Sequence, residues 1–225
     1  MNPVRVIELG FSTAASLIRG FAGTIASRPG ARPAQLLELY EFEACPYCRK
    51  AREAMSALRL DYLARPCPKR GTRYRPRVKA MGGREMFPYL VDPNTGTAMY
   101  ESDDIVRYLY RNYGAGRAPL AMTLPIVTEM TASFATMLYS RGFLASPSTL
   151  PEQPLELIGT EASPQTRIVR SRLCALELPY VMRCAEADST RPIPQLRDPN
   201  AADVDFVAVG VEPALRHLNA EYAAA

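Results

Sequence analysis

The sequence predicts an α/β protein built from two tandem units, each preceded by a helix, with the second unit truncated and degenerate. Three observations carry that expectation. First, Leu36-Leu37-Glu38-Leu39-Tyr40-Glu41-Phe42 is a short apolar run that reads as a strand and passes directly into a helix start at Cys45-Pro46-Tyr47-Cys48. Second, strand and helix signals alternate from there to residue 113. Third, the pattern returns: the run from Leu155 to Arg167 repeats Leu37 to Arg49 at an offset of 118, and Pro194-Gln195-Leu196-Arg197-Asp198-Pro199-Asn200 repeats Pro88-Tyr89-Leu90-Val91-Asp92-Pro93-Asn94 at an offset of 106. A duplication whose second copy has lost about a dozen residues between these landmarks accounts for both offsets.

Taken in order, residues 1–35 form a helix and linker, 36–115 the first unit, 116–154 a second helix and linker, and 155–225 the second unit. In residues 4–22, Val6, Phe11, Ala15, Ile18 and Ala22 fall on one helical face, while Arg5, Glu8 and Arg19 interrupt the apolar core that a signal peptide requires. A packed helix is expected there, with membrane-surface contact as the alternative. The segment Phe134 to Phe143 echoes Phe11 to Phe21, and both end in Arg-Gly-Phe with glycine placed as a helix stop. Within the first unit, strands are expected over 36–42, 61–65, 88–92 and 97–100, and helices over 46–59, 73–81 and 102–113. Pro88 cannot donate a ladder hydrogen bond, so it belongs at a strand's first position or at a bend. Ser102 reads as the N-cap of the closing helix.

The chain has 225 residues, of which 48% are hydrophobic and 22% charged, with a net charge of +4. That composition fits an ordinary globular protein with a sizeable core, and the basic balance is too weak to argue for nucleic acid. No apolar stretch reaches the length of a spanning helix. Five irregularly spaced cysteines do not make a secreted disulfide framework, so a reducing compartment, the cytoplasm, is expected.

Chemistry centres on the Cys-x-x-Cys pair. A cysteine at a helix amino end faces unpaired N–H groups and the positive end of the macrodipole, which favour the thiolate. Cys45 is therefore the expected nucleophile, and Cys48 lies within reach to attack a mixed disulfide formed on it. Arg49 and Lys50 add positive charge nearby. A zinc site needs two more ligands, yet the one histidine is His217 and Cys67, Cys174 and Cys184 form no second Cys-x-x-Cys, so no metal is expected. A pair without activity remains the other reading.

Cys45-Pro46-Tyr47-Cys48 resembles the active-site tetrad of the glutaredoxins. The run through Phe87-Pro88-Tyr89-Leu90 to Tyr100-Glu101-Ser102-Asp103-Asp104-Ile105 resembles the amino-terminal domain of glutathione transferases, and together the matches cover roughly residues 36 to 113. The resemblance implies a thioredoxin-like fold for the first unit and, through the repeat, for the second. It implies a cis Pro88 lying against the active-site cysteine, with the Phe87 backbone left free for the cysteinyl part of glutathione. It implies that Glu101 and Ser102 hold the γ-glutamyl end, with helix N–H groups on its carboxylate, and that Tyr47 and Arg49 line the same site. Asp103 and Asp104 either help with the glutathione ammonium or complement the helix dipole.

Between Arg65 and Arg84 lie Arg65, Lys69, Arg70, Arg73, Arg75, Arg77, Lys79 and Arg84 with no acid among them. The run is either a solvated face, an electropositive rim for anionic glutathione or an acidic protein partner, or, less well supported, a nucleic-acid contact. Cys67 reads as a peripheral thiol or an additional redox partner. In the second unit Ser163 and Thr166 replace the cysteines and Gly210-Val211 replaces Glu-Ser, so its dithiol is gone. Cys174, Cys184 and His217 read as structural. The expected function is a glutathione-dependent thiol-disulfide oxidoreductase using glutathione as cosubstrate and glutathionylated or disulfide-containing proteins as partners. A glutathione transferase-like enzyme and a non-catalytic glutathione- or protein-binding scaffold are the alternatives.

Overall fold

A computed structural model describes residues 3–18, 31–119, 142–185, 192–203 and 205–224. Its elements are α1 (Pro3–Ile18), β1 (Leu37–Glu41), α2 (Pro46–Ala57), β2 (Tyr62–Pro66), α3 (Arg75–Gly82), β3 (Tyr89–Asp92), β4 (Thr97–Met99), α4 (Ser102–Tyr113), β5 (Leu155–Gly159), α5 (Pro164–Ala175), β6 (Tyr180–Cys184), β7 (Gln195–Arg197), β8 (Val207–Val209) and α6 (Val211–Tyr222). The described residues thus form a mixed α/β fold with one sheet and six helices. None of these helices is long and apolar enough to cross a membrane.

Alternation along β1 explains how the first half is layered. Leu37 and Leu39 point to one face and pack with Met55 of α2 and Ile105 and Leu109 of α4. Tyr40 points to the other and packs with Tyr74, Val78 and Tyr89, where α3 covers the sheet. Each fully buried leucine in this arrangement stabilises the fold by about 1.5–3 kcal/mol. β1 runs parallel to β2 and antiparallel to β3, which pairs antiparallel with β4.

The second half repeats these relations. β5 runs parallel to β6 and antiparallel to β7, which pairs antiparallel with β8. Details recur as well. Arg65 Nε reaches Glu38 at 3.2 Å, and Arg183 Nε reaches Glu156 at 3.2 Å. Asn94 bridges the Gln35 backbone, and Asn200 bridges that of Gln153. Asp92 accepts from Tyr108 and Tyr113, whereas Asp198 accepts from Tyr222 and lies 2.7 Å from His217 Nε2. Among the described residues, no helix corresponding to α3 lies between β6 and β7.

The halves join edge to edge. β2 and β6 pair antiparallel with Leu63 opposite Val181, and Tyr62 and Ala64 opposite Met182 and Tyr180, giving one sheet of order β4-β3-β1-β2-β6-β5-β7-β8. Leu63 thus faces the residue 118 positions later, its own repeat partner, so the junction has the self-complementary form of a two-fold interface. Pairing β2 with β6 also removes two exposed strand edges.

Two expectations need correction. α1 does not pack through Val6 and Phe11, which are exposed together with Ile7. It meets α5 through Leu9 and Ser12: the Ser12 hydroxyl donates to the Pro164 carbonyl at 3.1 Å, and Arg167 Nη1 donates to the Ser12 carbonyl at 2.6 Å. A buried arginine needing acceptors therefore sets the orientation of the helix. The side chains of Ala15 and Ile18, Ala22, and residues 134–141 of the helix expected over 134–143 lie outside the described residues. Cys67 is fully buried rather than peripheral, and burial pushes its thiol well up.

Candidate active site

β1 ends at Glu41, the chain turns through a Cys45 N–H to Phe42 carbonyl bond of 3.1 Å, and α2 begins at Pro46. Proline at the first helical position loses no hydrogen bond. Cys45 is the N-cap: its Sγ accepts the Cys48 N–H at 3.3 Å, the role serine or aspartate usually plays. The hydrogen bond from the Cys48 side chain, then the backbone N–H of Cys48 and the charge of Arg52, hold the Cys45 thiol below its usual value against the opposing effect of burial. Cys48 is fully buried, and burial followed by its interaction with Cys45 pushes it well up. Cys45 is therefore the more acidic thiol of the pair, and Cys48 the one that holds its proton more tightly.

Phe87 lies beside Cys45. The Phe87–Pro88 peptide bond is cis, and the Phe87 carbonyl oxygen lies 4.0 Å from Cys45 Sγ. α4 packs against α2 and begins at Ser102, just after Glu101. Here the expected cap moves by one residue. Ser102 is the first helical residue, and Glu101 is the N-cap, with φ of 67° and no side-chain capping bond. A non-glycine residue in the left-handed region is costly, and such positions concentrate at ligand sites. The Glu101 side chain is consequently exposed and uncommitted to the helix.

Other sequence-derived site residues divide. Tyr47 is exposed. Arg49 is buried, paired with Glu53 at 3.1 Å, so it faces the protein interior. Lys50 is likewise buried and paired with Asp103, which occupies that carboxylate internally. Charges placed beside the cysteines by sequence are thus largely structural. No group of three or more His, Cys, Asp or Glu side chains among the described residues is arranged to hold a metal.

Sequence reasoning missed what lies beneath the dithiol. Glu41, Glu43, Arg52, Glu161, Arg167 and Arg170 form a buried charged network between the halves. Arg52 reaches Glu161 at 3.1 Å and Glu43 at 3.5 Å, and also pairs with Glu41. Arg170 mirrors it, reaching Glu161 at 2.6 Å and pairing with Glu43. Burial opposes ionisation of Glu161, but Arg170 and Arg52 outweigh it and hold the carboxyl down to about 2. Glu41 behaves oppositely: burial raises it despite Arg52, and its Oε1 has no hydrogen-bond partner. One signal was present in the sequence. Glu43, Arg49 and Arg52 recur as Glu161, Arg167 and Arg170 at the same offset of 118, even though both cysteines do not.

The second half keeps the scaffold of the site without its thiols. Ser163 caps α5, accepting the Thr166 N–H at 3.2 Å, and the Ile193–Pro194 peptide bond is cis. Gly210, with φ of 90°, takes the place of Glu101. Gly159 takes the place of Glu41, where a Cβ would come within 2.4 Å of Thr166 Oγ1. Glu41 therefore occupies a position that directly faces the buried residue of the Cys-x-x-Cys pair. Cys174 and Cys184 are held as thiols by burial.

Residues 39–117 match the family described as glutathione S-transferase, N-terminal domain. No curated protein and no solved structure matches the chain. The segment 39–117 is therefore a domain of the thioredoxin-like glutathione transferase amino-terminal family.

Proposed function

We propose that the protein is a glutathione-dependent thiol-disulfide oxidoreductase acting through Cys45 and Cys48. The observation that carries this reading is the Cys45 sulfur seated as the N-cap of α2, accepting the Cys48 N–H at 3.3 Å, with the Phe87 carbonyl 4.0 Å away. Glutathione would lie along the Phe87 backbone beside Pro88, with its γ-glutamyl end at Glu101 and the first N–H groups of α4, Ser102 included. The exposed Glu101 side chain and open helix start suit an ammonium and a carboxylate respectively.

In the first step the Cys45 thiolate attacks the glutathione sulfur of a mixed disulfide, forming a Cys45–glutathione disulfide and releasing the substrate thiolate, which takes a proton from water. A second glutathione thiolate then attacks that sulfur, giving oxidised glutathione and regenerating Cys45. Alternatively Cys48 loses its proton and attacks Cys45, releasing glutathione and leaving an intramolecular disulfide for two glutathione molecules to reduce. Full burial of Cys48 favours the first route. Such a cycle runs where glutathione is kept reduced, as in the cytoplasm.

The same reading takes 36–115 and 155–225 as tandem thioredoxin-like units, the second without catalysis and serving to complete the sheet and the buried charge network. Support comes from the matching ion pairs, turns and strand relations of the two halves.

The test is pH-dependent alkylation of Cys45 in Cys48→Ser, with turnover of a glutathione mixed disulfide. A midpoint well below about 8.5, with turnover that survives in Cys48→Ser and disappears in Cys45→Ser, supports the proposal. An ordinary midpoint without turnover overturns it and favours a binding scaffold. Conjugation of glutathione to an electrophile without disulfide reduction would assign the site to transferase chemistry.

A further inference from the structure

A continuous line of contacts leads from the Cys45 sulfur to a set of cations that the catalytic reading leaves unused. The Phe87 carbonyl touches Cys45; the Phe87 ring meets Phe42 edge-on at 6.1 Å; Phe42 meets Phe143 at 6.3 Å. Phe143 is 42% exposed, so this aromatic row opens to solvent at its far end. Beside that end runs the loop carrying Lys69 and Arg70. The Lys69 N–H donates to the Phe143 carbonyl at 2.7 Å, and the Ala145 N–H donates back to the Lys69 carbonyl at 2.9 Å.

Many cations in this part of the chain are already committed. Arg65 pairs with Glu38, Arg75 with Glu85, and Arg73 donates to the carbonyls of Leu176, Glu177 and Ser148. Lys69, Arg70 and Arg84 are exposed and have no carboxylate partner among the described residues, though Arg84 rests on the Tyr100 ring. Arg84 lies three residues before Phe87 in the chain, with its guanidinium over the Tyr100 ring at 5.1 Å.

The loop is also held rigid. Glu177 accepts the Thr72 and Arg73 N–H groups, each at 3.2 Å, and so ties the loop to the second half of the molecule. Arg70 sits at the tip with φ of 64°, a left-handed conformation that a non-glycine residue adopts only when its surroundings impose it. A pinned loop carrying exposed cations beside a half-exposed aromatic row, with Arg75 seated over Phe87 at 4.7 Å and Phe42 at 5.9 Å, forms a surface in which little loop ordering remains to be done on binding.

Building on the oxidoreductase reading, we propose that this surface docks the protein part of the substrate, an acidic polypeptide segment whose disulfide-bearing cysteine is flanked by an apolar residue. The apolar residue lies on Phe42, Phe87 and Phe143, and the acidic flanks meet Lys69, Arg70 and Arg84. Charge complementarity of this kind acts mainly on encounter rate and selectivity, and weakens as salt rises. The second half then has a part in recognition: it anchors the loop that carries the cations.

The experiment uses the full chain and two synthetic glutathionylated peptides sharing a Leu-Cys centre, one flanked by Glu and Asp, the other by Gln and Asn. At low ionic strength kcat/KM for the acidic peptide should exceed that for the neutral one by about tenfold or more, and the gap should close as salt is added. Lys69→Gln/Arg70→Gln/Arg84→Gln should remove the preference while leaving the neutral peptide within about twofold, since the Lys69 loop meets Phe143 rather than Cys45 and Arg84 lies over Tyr100. Phe143→Ala should lower kcat/KM for both peptides. Equal rates for the two peptides, or a preference that persists in the triple variant, overturns the proposal. So does a triple variant whose defect lies in KM for glutathione. If neither peptide is turned over, the oxidoreductase reading fails, and fluorescence anisotropy of the labelled peptides on the wild-type chain decides the surface alone: selective, salt-sensitive binding of the acidic peptide keeps it and equal binding removes it.

Discussion

The two halves of this chain hold the same architecture around different residues. Both begin with a strand entering a helix capped by a small polarisable or hydroxyl side chain, Cys45 in one and Ser163 in the other. Both have a cis X–Pro bond before β3 or β7, and both lock an aspartate under the closing helix. The second half thus acts as an internal control. What it retains is what the fold needs: the cap, the strand relations, the buried arginines and the aspartate lock. What it lacks, namely both thiols, Glu41 and Glu101, the fold does not need. Three of these, Cys45, Cys48 and Glu41, lie together, with the Glu41 charge acting on the Cys48 thiol.

The largest effect that would sharpen this contrast is on turnover. Cys45→Ser should reduce glutathione-dependent disulfide reduction by about a thousandfold or more. Its melting temperature should move by only a few degrees, about 1 kcal/mol or less, because serine caps α5 at the equivalent position in the same way. A Cys45→Ser protein that unfolds would show that the thiol is structural and would break the comparison.

Next in size is the shared network. Glu161→Gln removes the negative charge shared by two fully buried arginines and puts an N–H donor where one oxygen accepted, and should cost about 3–5 kcal/mol in urea unfolding. Its pH dependence has a definite sign. Since the folded state holds Glu161 down to about 2, below the ordinary value of 4.5, its contribution is complete above about 4.5 and fades as pH falls toward 2. Wild type should lose stability across that acid window, and Glu161→Gln should lose less. An unchanged acid profile would remove the network from the account of how the halves are joined.

Glu41→Gln tests the residue that makes the first half unlike the second. Burial raises the folded Glu41 carboxyl, so the folded state binds its proton more tightly than the unfolded chain does, and its ionisation as pH rises disfavours folding. The substitution should therefore cost less than Glu161→Gln at neutral pH. It should also move Cys48 alkylation to lower pH, because the Glu41 charge is one of the causes that keep the Cys48 proton in place. An unmoved Cys48 midpoint would make Glu41 a purely structural difference.

The smallest effect concerns His217, which takes the place of Tyr108 in the aspartate lock. His217→Tyr should preserve a hydrogen bond to Asp198 and the ring contact with Phe206, changing stability by about 1 kcal/mol or less. A larger loss would mean that the two locks are not equivalent.

Much of the first half was legible from sequence because its signals are local. Alternation at Leu37 and Leu39, proline at Pro46 and the acidic first turn of α4 each act within a few residues of where they stand. The cysteine pair was legible for the same reason. Glu101 was named, but not as the cap: a positive φ on a glutamate is imposed by its surroundings, not by propensity. Arg49 and Lys50 were misplaced because a charge beside a cysteine in sequence gives no indication that Glu53 and Asp103 will draw it inward.

The sequence by itself determined the order of elements from β1 to α4, the helix start at Cys45 and the absence of cysteine at positions 163 and 166, since each rests on spacing along the chain. Only the tertiary structure decided that β2 and β6 meet as edges of one sheet, and that Arg52 and Arg170 share Glu43 and Glu161 beneath the dithiol. It also decided that the loop at Lys69 is pinned by Glu177 from the other half. Strand edges and buried charges take their partners from whatever surface comes to face them, and residues more than a hundred positions apart carry no local signal of that meeting.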